Sequence, residues 1–522
     1  MIELPRAATA PRPDTPDGFD LFRLPGLRRF ARWRYARLAL QLPLLLLALF
    51  VIVDGLTGRQ LAPRNVATTS VWLHYRGFVV LGLAFLGNAF CAACPLMLVR
   101  GPSRVLKRAL GREWRWPRAL RSKGLVIVLM LVFFFAYEAF ALWSSPWLTA
   151  WLVIGYFLAA LAVDVLFPPG TFCKHVCPLG TFNFALSHTS PTQVTTVDAQ
   201  VCDRCEHKPC LHGRVSDHDH TRVAWEARGL GVEGARRPSF IPLAEVTQAN
   251  GRGRFPGCET DLFVPAMTST MDCTLCLNCV RACPYDNVAL RVRAPWREAL
   301  AGAWRRRGGL SLAVLAIALL WAGVMNAVAM IPPFFAAADA VANTLGTRNE
   351  TLVLALLFTL VLGVGSALTL GAFALGSLAA GVREGPRALM LRWGSVAMVL
   401  AIGFWTAHYL FHFLTGALTI VPVFQHFFEY RGFAVDTNWR LAQLVPSRWL
   451  FFVGAGIASV YGLMAIAVGG ARALRDFGAT RGVLAMWPIG LFALAVTVLQ
   501  VLVLAQPMEM RGTLLGPLGP LP

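Results

Sequence analysis

Twelve cysteines, all between Cys91 and Cys283, carry the most specific chemistry in this 522-residue chain. The sharpest pattern is Cys273-Thr-Leu-Cys276-Leu-Asn-Cys279-Val-Arg-Ala-Cys283-Pro284, a C-x2-C-x2-C-x3-C-P run. That spacing ligates 4Fe–4S clusters: three thiolates on one tight loop reach three irons of a cubane, and the fourth, before proline, points to a second cluster. The run therefore calls for a partner. It is found upstream in Cys202-Asp-Arg-Cys205-Glu-His-Lys-Pro-Cys210, together with Cys258. Eight thiols make two clusters. The swapped pattern assigns Cys202, Cys205, Cys210 and Cys283 to one, and Cys273, Cys276, Cys279 and Cys258 to the other; the unswapped pairing stays open. Zinc is the competing reading of the 202–210 group, since His207 and His212 lie close and mixed Cys/His sets suit that ion. The complete run alongside favours iron and sulfur.

Four cysteines remain, in Cys91-Ala-Ala-Cys94-Pro95 and Cys173-Lys-His-Val-Cys177-Pro178. Each pair stands where an apolar run ends, and both fall on one face of the membrane. Such pairs can ligate a third metal or cluster, or act as a dithiol relay, because thiolates favour soft metals and redox exchange. Buried, unreactive thiols are the plain alternative. A disulfide framework is not indicated, because that device belongs mainly to small secreted domains with poor cores.

These residues need elements to hold them. The chain is 56% hydrophobic and 15% charged, too apolar for a water-soluble protein of this length. Apolar runs of about 20 residues, enough to cross a bilayer as helix, lie near 36–55, 77–98, 124–144, 147–168, 309–332, 350–376, 391–421, 449–470 and 483–506. The expected fold class is an all-α polytopic membrane protein of about nine transmembrane helices with an inserted ferredoxin-like α+β domain carrying two 4Fe–4S clusters. Its parts are a four-helix membrane domain (1–168), the cluster domain (169–308) and a five-helix membrane domain (309–522).

The net charge of +20 raises nucleic acid as a partner, but the arginines crowd the loops between apolar runs, as topology and anionic lipid head groups require. Arginine is dense in the N-terminal arm, at 100–123 and at 291–307. Those segments are expected in the cytoplasm, with the cluster domain, and the C-terminus outside a bacterial inner membrane. The N-terminus lacks the pattern of a cleaved signal peptide. The 47 residues between Cys210 and Cys258, containing HGRVSDHDHTR, fit a solvated loop or a docking loop. Neither C-x-x-C-H nor a Gly-rich dinucleotide fingerprint occurs, so covalent haem, NAD and FAD have no support.

With Cys173-Lys-His-Val-Cys177-Pro178-Leu-Gly-Thr-Phe, the cluster segment and four preceding spans, the chain resembles the membrane polyferredoxins of the NapH/NosR type over roughly residues 36–300. Its C-terminal half is similar to longer, FesM-like membrane iron–sulfur proteins of quinone cycles. The resemblance implies electron exchange between the quinone/quinol pool and a redox partner, such as a cytochrome or reductase subunit, in anaerobic respiratory or photosynthetic electron transport. Three features depart from that pattern: the first motif is C-x2-C-P, no flavin-binding domain precedes the spans, and five helices follow. A maturation, metal-reducing or sensing accessory for a respiratory metalloenzyme is the alternative. An ion-translocating C-terminal module has little support, since charges along those spans are few.

Ionisable residues within spans are functional candidates because they are expensive there. Glu138, Asp164, His408 and His412 qualify. His408 and His412 are i and i+4, so they share one helix face. With Glu138 at similar depth they form a candidate quinone and proton site, imidazole titrating near neutrality. An inner alternative uses Asp164 and Asn88 beside Cys91 and Cys177. Interhelical hydrogen bonding alone is the structural alternative. An outer site stands about 30 Å from the clusters, too far for one electron hop, so it needs a relay.

Overall fold

A computed structural model describes residues 18–205, 208–215, 254–300, 309–508 and 515. Apolar stretches become helices because hydrocarbon offers no partner for a free backbone N–H or C=O. In chain order the first set is α1 (Ala36–Thr57), α2 (Val66–Leu86), the short α3 (Ala89–Ala93), α4 (Arg100–Leu110), α5 (Gly124–Ala139), α6 (Pro146–Leu166) and α7 (Pro178–Leu186). Asn65 starts α2 by accepting the Ala67 N–H at 2.9 Å, and Ser145 starts α6 by accepting that of Leu148 at 3.2 Å.

Next come β1 (Thr192–Thr196), β2 (Arg214–Val215), β3 (Arg254–Phe255), α8 (Asn278–Ala282) and β4 (Val288–Val292). Strands β1 and β4 pair antiparallel, Thr192 opposite Val292 and Thr196 opposite Val288, while β2 pairs with β3. The strand pair is clamped by Glu298, which is buried. Its carboxylate accepts from Arg293 Nη2 at 2.6 Å and from the Thr270 N–H at 3.1 Å, and lies 2.7 Å from His188 Nδ1.

The last set is α9 (Gly309–Val328), α10 (Pro332–Leu345), α11 (Glu350–Ala379), α12 (Pro386–Gly416), α13 (Ile420–Glu429) and α14 (Ser447–Leu504). Helix α12 is the axis, with Trp393, Phe404 and Trp405 fully buried. Close approach rests on small residues. A Cβ at Gly403 would strike Tyr461, and one at Gly365 would strike Trp321. The tryptophan N–H groups are satisfied: Trp405 donates to Leu319 O and Trp321 to Thr369 Oγ1, both at 2.9 Å. One apolar core runs from α2, α5 and α7 into α9, α11, α12 and α14.

Among the described residues, seven helices are long and apolar enough to cross a membrane, where nine spans were expected. Helix α5 has 16 residues, about 24 Å of helix. The segments expected at 449–470 and 483–506 both fall within Ser447–Leu504, which Gly478 (φ 76°, ψ −179°) breaks into two helices; a Cβ at Gly462 would strike Thr497 and one at Gly469 would strike Ile489, so the two halves lie against each other. The second span also moves. It starts at Val66, and the chain breaks at Gly87 (φ 71°), so that residues 89–99 turn back in short helical pieces. Reading that span from residue 77 avoids Arg76; the fold instead buries Arg76.

Candidate functional site

The twelve cysteines sort into three groups of four. Cys202, Cys205, Cys210 and Cys283 line one cavity, closed by Phe263, Tyr285 and Asn287. Asn287 serves two of the sulfurs, donating from Nδ2 to Cys202 Sγ at 3.1 Å and from its backbone N–H to Cys283 Sγ at 3.4 Å. Burial pushes the Cys202 thiol up to about 12 and the Cys210 thiol up to about 11, and neighbouring sulfurs add to both shifts. Such thiols ionise when metal is present to take the charge. The donor set fits an iron–sulfur cluster, whose sulfurs characteristically accept such hydrogen bonds.

Cys258, Cys273, Cys276 and Cys279 form the second group. Burial raises the thiols of Cys273, Cys276 and Cys279, and each feels other members of this set, Cys258 included. The loop curls tightly because Asp272, Leu275 and Leu277 all take positive φ (65°, 48° and 56°), a conformation uncommon for residues with a side chain. Cys258 Sγ accepts the Leu262 N–H at 3.3 Å. Cys279 also feels Cys210 of the first group.

Cys91, Cys94, Cys173 and Cys177 form the third, at the ends of α2 and α6. Cys91 is raised by burial and by Cys94 and Cys177; Cys173 by burial and by Cys177 and Cys94. Gly180 donates its N–H to Cys177 Sγ at 3.2 Å, and Asn183 Nδ2 lies 3.8 Å from Cys91 Sγ. Among the described residues, no three His, Cys, Asp or Glu side chains gather so as to hold a single metal ion.

The second and third groups are bound together by charge. Arg37 and Arg100 both pair with Glu259, and Arg100 Nε also lies 3.3 Å from Asp164 Oδ2. Burial disfavours the Glu259 carboxylate, but the two guanidiniums outweigh it and hold the carboxyl below its usual range. Arg100 feels both Cys173 and Cys276. Asn88 Nδ2 donates to Cys273 O at 2.9 Å, and Gln41 Nε2 to Cys94 O at 2.9 Å.

Deeper among the helices lies a polar cluster. Arg76 is buried with its guanidinium over the rings of Tyr137 (4.7 Å), Tyr409 (4.9 Å) and Trp72 (5.2 Å). Glu138 accepts from Asn326 Nδ2 at 2.8 Å and acts on Arg76 through space. His408 and His412 also lie within electrostatic reach of Arg76, their rings 4.7 Å apart and perpendicular. Among the described residues, neither nitrogen of His408 has a hydrogen-bond partner, nor has Nε2 of His412.

Of the four ionisable candidates, Glu138, His408 and His412 thus share one cluster, while Asp164 lies apart in the Arg100 ion pair. Sequence reading missed Arg76, Tyr137, Tyr409 and Asn326. Arg76 carried the available signal, as a charge inside LHYRGFVV, lost when the span boundary was drawn beyond it. His207 and residues 216–253, which hold most of the expected docking loop, lie outside the described residues; His212 is exposed.

Comparison with known proteins finds a weak likeness. Over 165 residues the chain is 29% identical to the ferredoxin-type protein NapH of Haemophilus influenzae, covering 29% of this chain and 56% of that protein. The chain thus spans little more than half the length of the relative it matches. No protein-family profile matches, and no solved structure does.

Proposed function

We propose that the chain is an iron–sulfur electron-transfer protein of the bacterial inner membrane that exchanges electrons between the quinone/quinol pool and a redox partner through two 4Fe–4S clusters. Cys202, Cys205, Cys210 and Cys283 hold one, and Cys258, Cys273, Cys276 and Cys279 the other. One observation carries the reading: Cys283, at the end of the C-x2-C-x2-C-x3-C-P run, lines the same cavity as the three thiols 73 to 81 residues upstream, the crossing of strands that two-cluster sequences require. The weak likeness to a ferredoxin-type protein points the same way. The dense arginines at 100–123 and 291–307 support a cytoplasmic cluster segment under the positive-inside rule.

The clusters, when bound, supply one-electron carriers. The chain's own residues do the rest. Asn287 and Leu262 aim N–H groups at the sulfurs of Cys283 and Cys258, which stabilises the added negative charge on reduction. In the polar cluster, a neutral His408 ring has one nitrogen free to accept a hydrogen bond from a quinol hydroxyl. Arg76, fixed over three aromatic faces, favours the anion that forms as a hydroxyl proton leaves. Glu138 and His412 are the remaining proton-holding groups.

The test is iron and acid-labile sulfide analysis of protein purified anaerobically in detergent, with Cys276→Ala and Cys202→Ala as variants. Each variant should lose about four irons and one distinct EPR signal. Iron-free protein, or iron that neither variant lowers, contradicts the assignment.

A further inference from the structure

We infer that Cys91, Cys94, Cys173 and Cys177 form a third iron–sulfur site, set between the two ferredoxin-like clusters and the Arg76 polar cluster, and that it closes the gap across which electrons pass. The inference rests on the proposed function above; its first part, that these four cysteines hold iron, is read by an iron count alone.

Local geometry carries it first. The ligand-bearing end of the ferredoxin-type run is a short helix, α8, closed by Cys283 just before a proline, with the Cys283 N–H donating to Cys279 O at 3.0 Å. The same device recurs twice at the membrane edge. Helix α3 ends at Cys94 before Pro95, and the helical turn Phe172–Val176 ends at Cys177 before Pro178. The three closing cysteines share one backbone conformation: φ −61°, ψ 120° at Cys94; φ −73°, ψ 109° at Cys177; φ −71°, ψ 114° at Cys283. Proline imposes that extended form on the residue before it, and it turns the thiol out of the helix end. The 172–176 turn is a π-helix, a wider turn that absorbs the extra residue of C-x3-C relative to C-x2-C.

The surroundings carry it second. Besides the Gly180 and Asn183 donors, Asn183 Oδ1, Thr181 Oγ1 and Asn88 Oδ1 are buried with no hydrogen-bond partner among the described residues. Asn183 and Thr181 are at most 1% exposed, so the cost of these orphaned atoms points to an occupant at this place. The four thiols do not gather for one shared ion. A cubane makes no such demand, since each thiolate binds an iron of its own. Arg100, which acts on both Cys173 and Cys276, supplies positive charge against an anionic cluster on either side.

Position carries it third. On one flank, Asn88 ties this site to Cys273 O, and Glu259 acts on both Cys94 and Cys276. On the other, Phe182, five residues after Cys177, packs its ring against Trp405 at 5.0 Å and Tyr409 at 5.9 Å. Tyr409 in turn faces Arg76. A quinol oxidised there would release two electrons and two protons; a cluster held by these four cysteines would stand between it and the cluster proposed at Cys276, and would supply a one-electron carrier.

The experiment is iron quantitation and Mössbauer spectroscopy on 57Fe-grown, anaerobically purified full-length protein, with Cys94→Ala and Cys173→Ser as variants. The expected result is about twelve irons per chain, and about eight in either variant, with both ferredoxin-like EPR signals kept. The wild-type spectrum needs no variant to fold: three cubanes' worth of iron supports the inference. About eight irons, unchanged by either variant, overturns it and leaves the two-cluster reading standing. Copper or zinc bound at these four thiols overturns it as well. Iron well below eight in protein that is otherwise folded counts against the two-cluster reading itself.

Discussion

Arg100 and Glu259 form an ion pair that joins the end of the membrane helices to the cysteine-rich segment. Arg37 shares the same carboxylate, so Glu259 is an acidic charge that both guanidiniums contact. It also acts on Cys94 and Cys276 at once, which makes it the electrostatic link between two thiol groups.

Glu259→Gln should therefore raise the midpoint potential of the cluster held by Cys276, because an adjacent negative charge that opposes reduction is gone. The expected shift is some tens of millivolts, given that about 59 mV corresponds to a tenfold change for one electron. Redox titration followed by EPR measures it. A shift to lower potential would contradict the placement.

Glu298→Gln should destabilise the cysteine-rich segment by about 3–5 kcal/mol, since it leaves Arg293 buried without its countercharge. The sign with pH follows from the depressed carboxyl. Burial opposes ionisation of Glu298, but His188 and Arg293 overcome it and hold the group at about 2. Its contribution is complete above about 4.5, the ordinary carboxylate value, and is lost as pH falls towards about 2. Unfolding midpoints of wild type and variant in detergent should differ constantly down to that upper value and converge below it.

The cysteines stood out in the sequence because their spacing is tight and regular, and Pro284, Pro95 and Pro178 mark the ends of the helical turns that carry them. The deeper cluster was half legible. His408 and His412 stand out as ionisable residues in an apolar run, whereas Tyr137, Tyr409 and Asn326 look like ordinary span residues. Only packing brings them round Arg76. The seven long apolar helices differ from the nine expected spans at two places: α5 has 16 residues, and the runs at 449–470 and 483–506 fall in one helical stretch that Gly478 breaks. Glu259 and Arg37 sit 222 residues apart, a separation no local pattern bridges.

His408→Ala should slow quinol-linked electron transfer by roughly 10²–10⁴-fold, the usual contribution of a proton-accepting group, without changing iron content. Stopped-flow absorbance of cluster reduction measures the rate. An unchanged rate would remove the imidazole from the site.

Arg76→Lys keeps the charge and loses the planar guanidinium stacked on Trp72, Tyr137 and Tyr409. A loss of about 1–2 kcal/mol in stability is expected from the weakened cation–π contacts, together with slower quinol-linked transfer at full iron loading. Thermal unfolding in detergent and the same stopped-flow assay check both.

The most direct test of the central claim is anaerobic EPR of the iron-loaded protein mixed with a quinol analogue, and of the dithionite-reduced protein mixed with the corresponding quinone. Electron exchange between clusters and quinone, in either direction and abolished in Cys276→Ala, is the predicted result. Clusters that dithionite reduces but that neither quinol reduces nor quinone reoxidises would contradict the account.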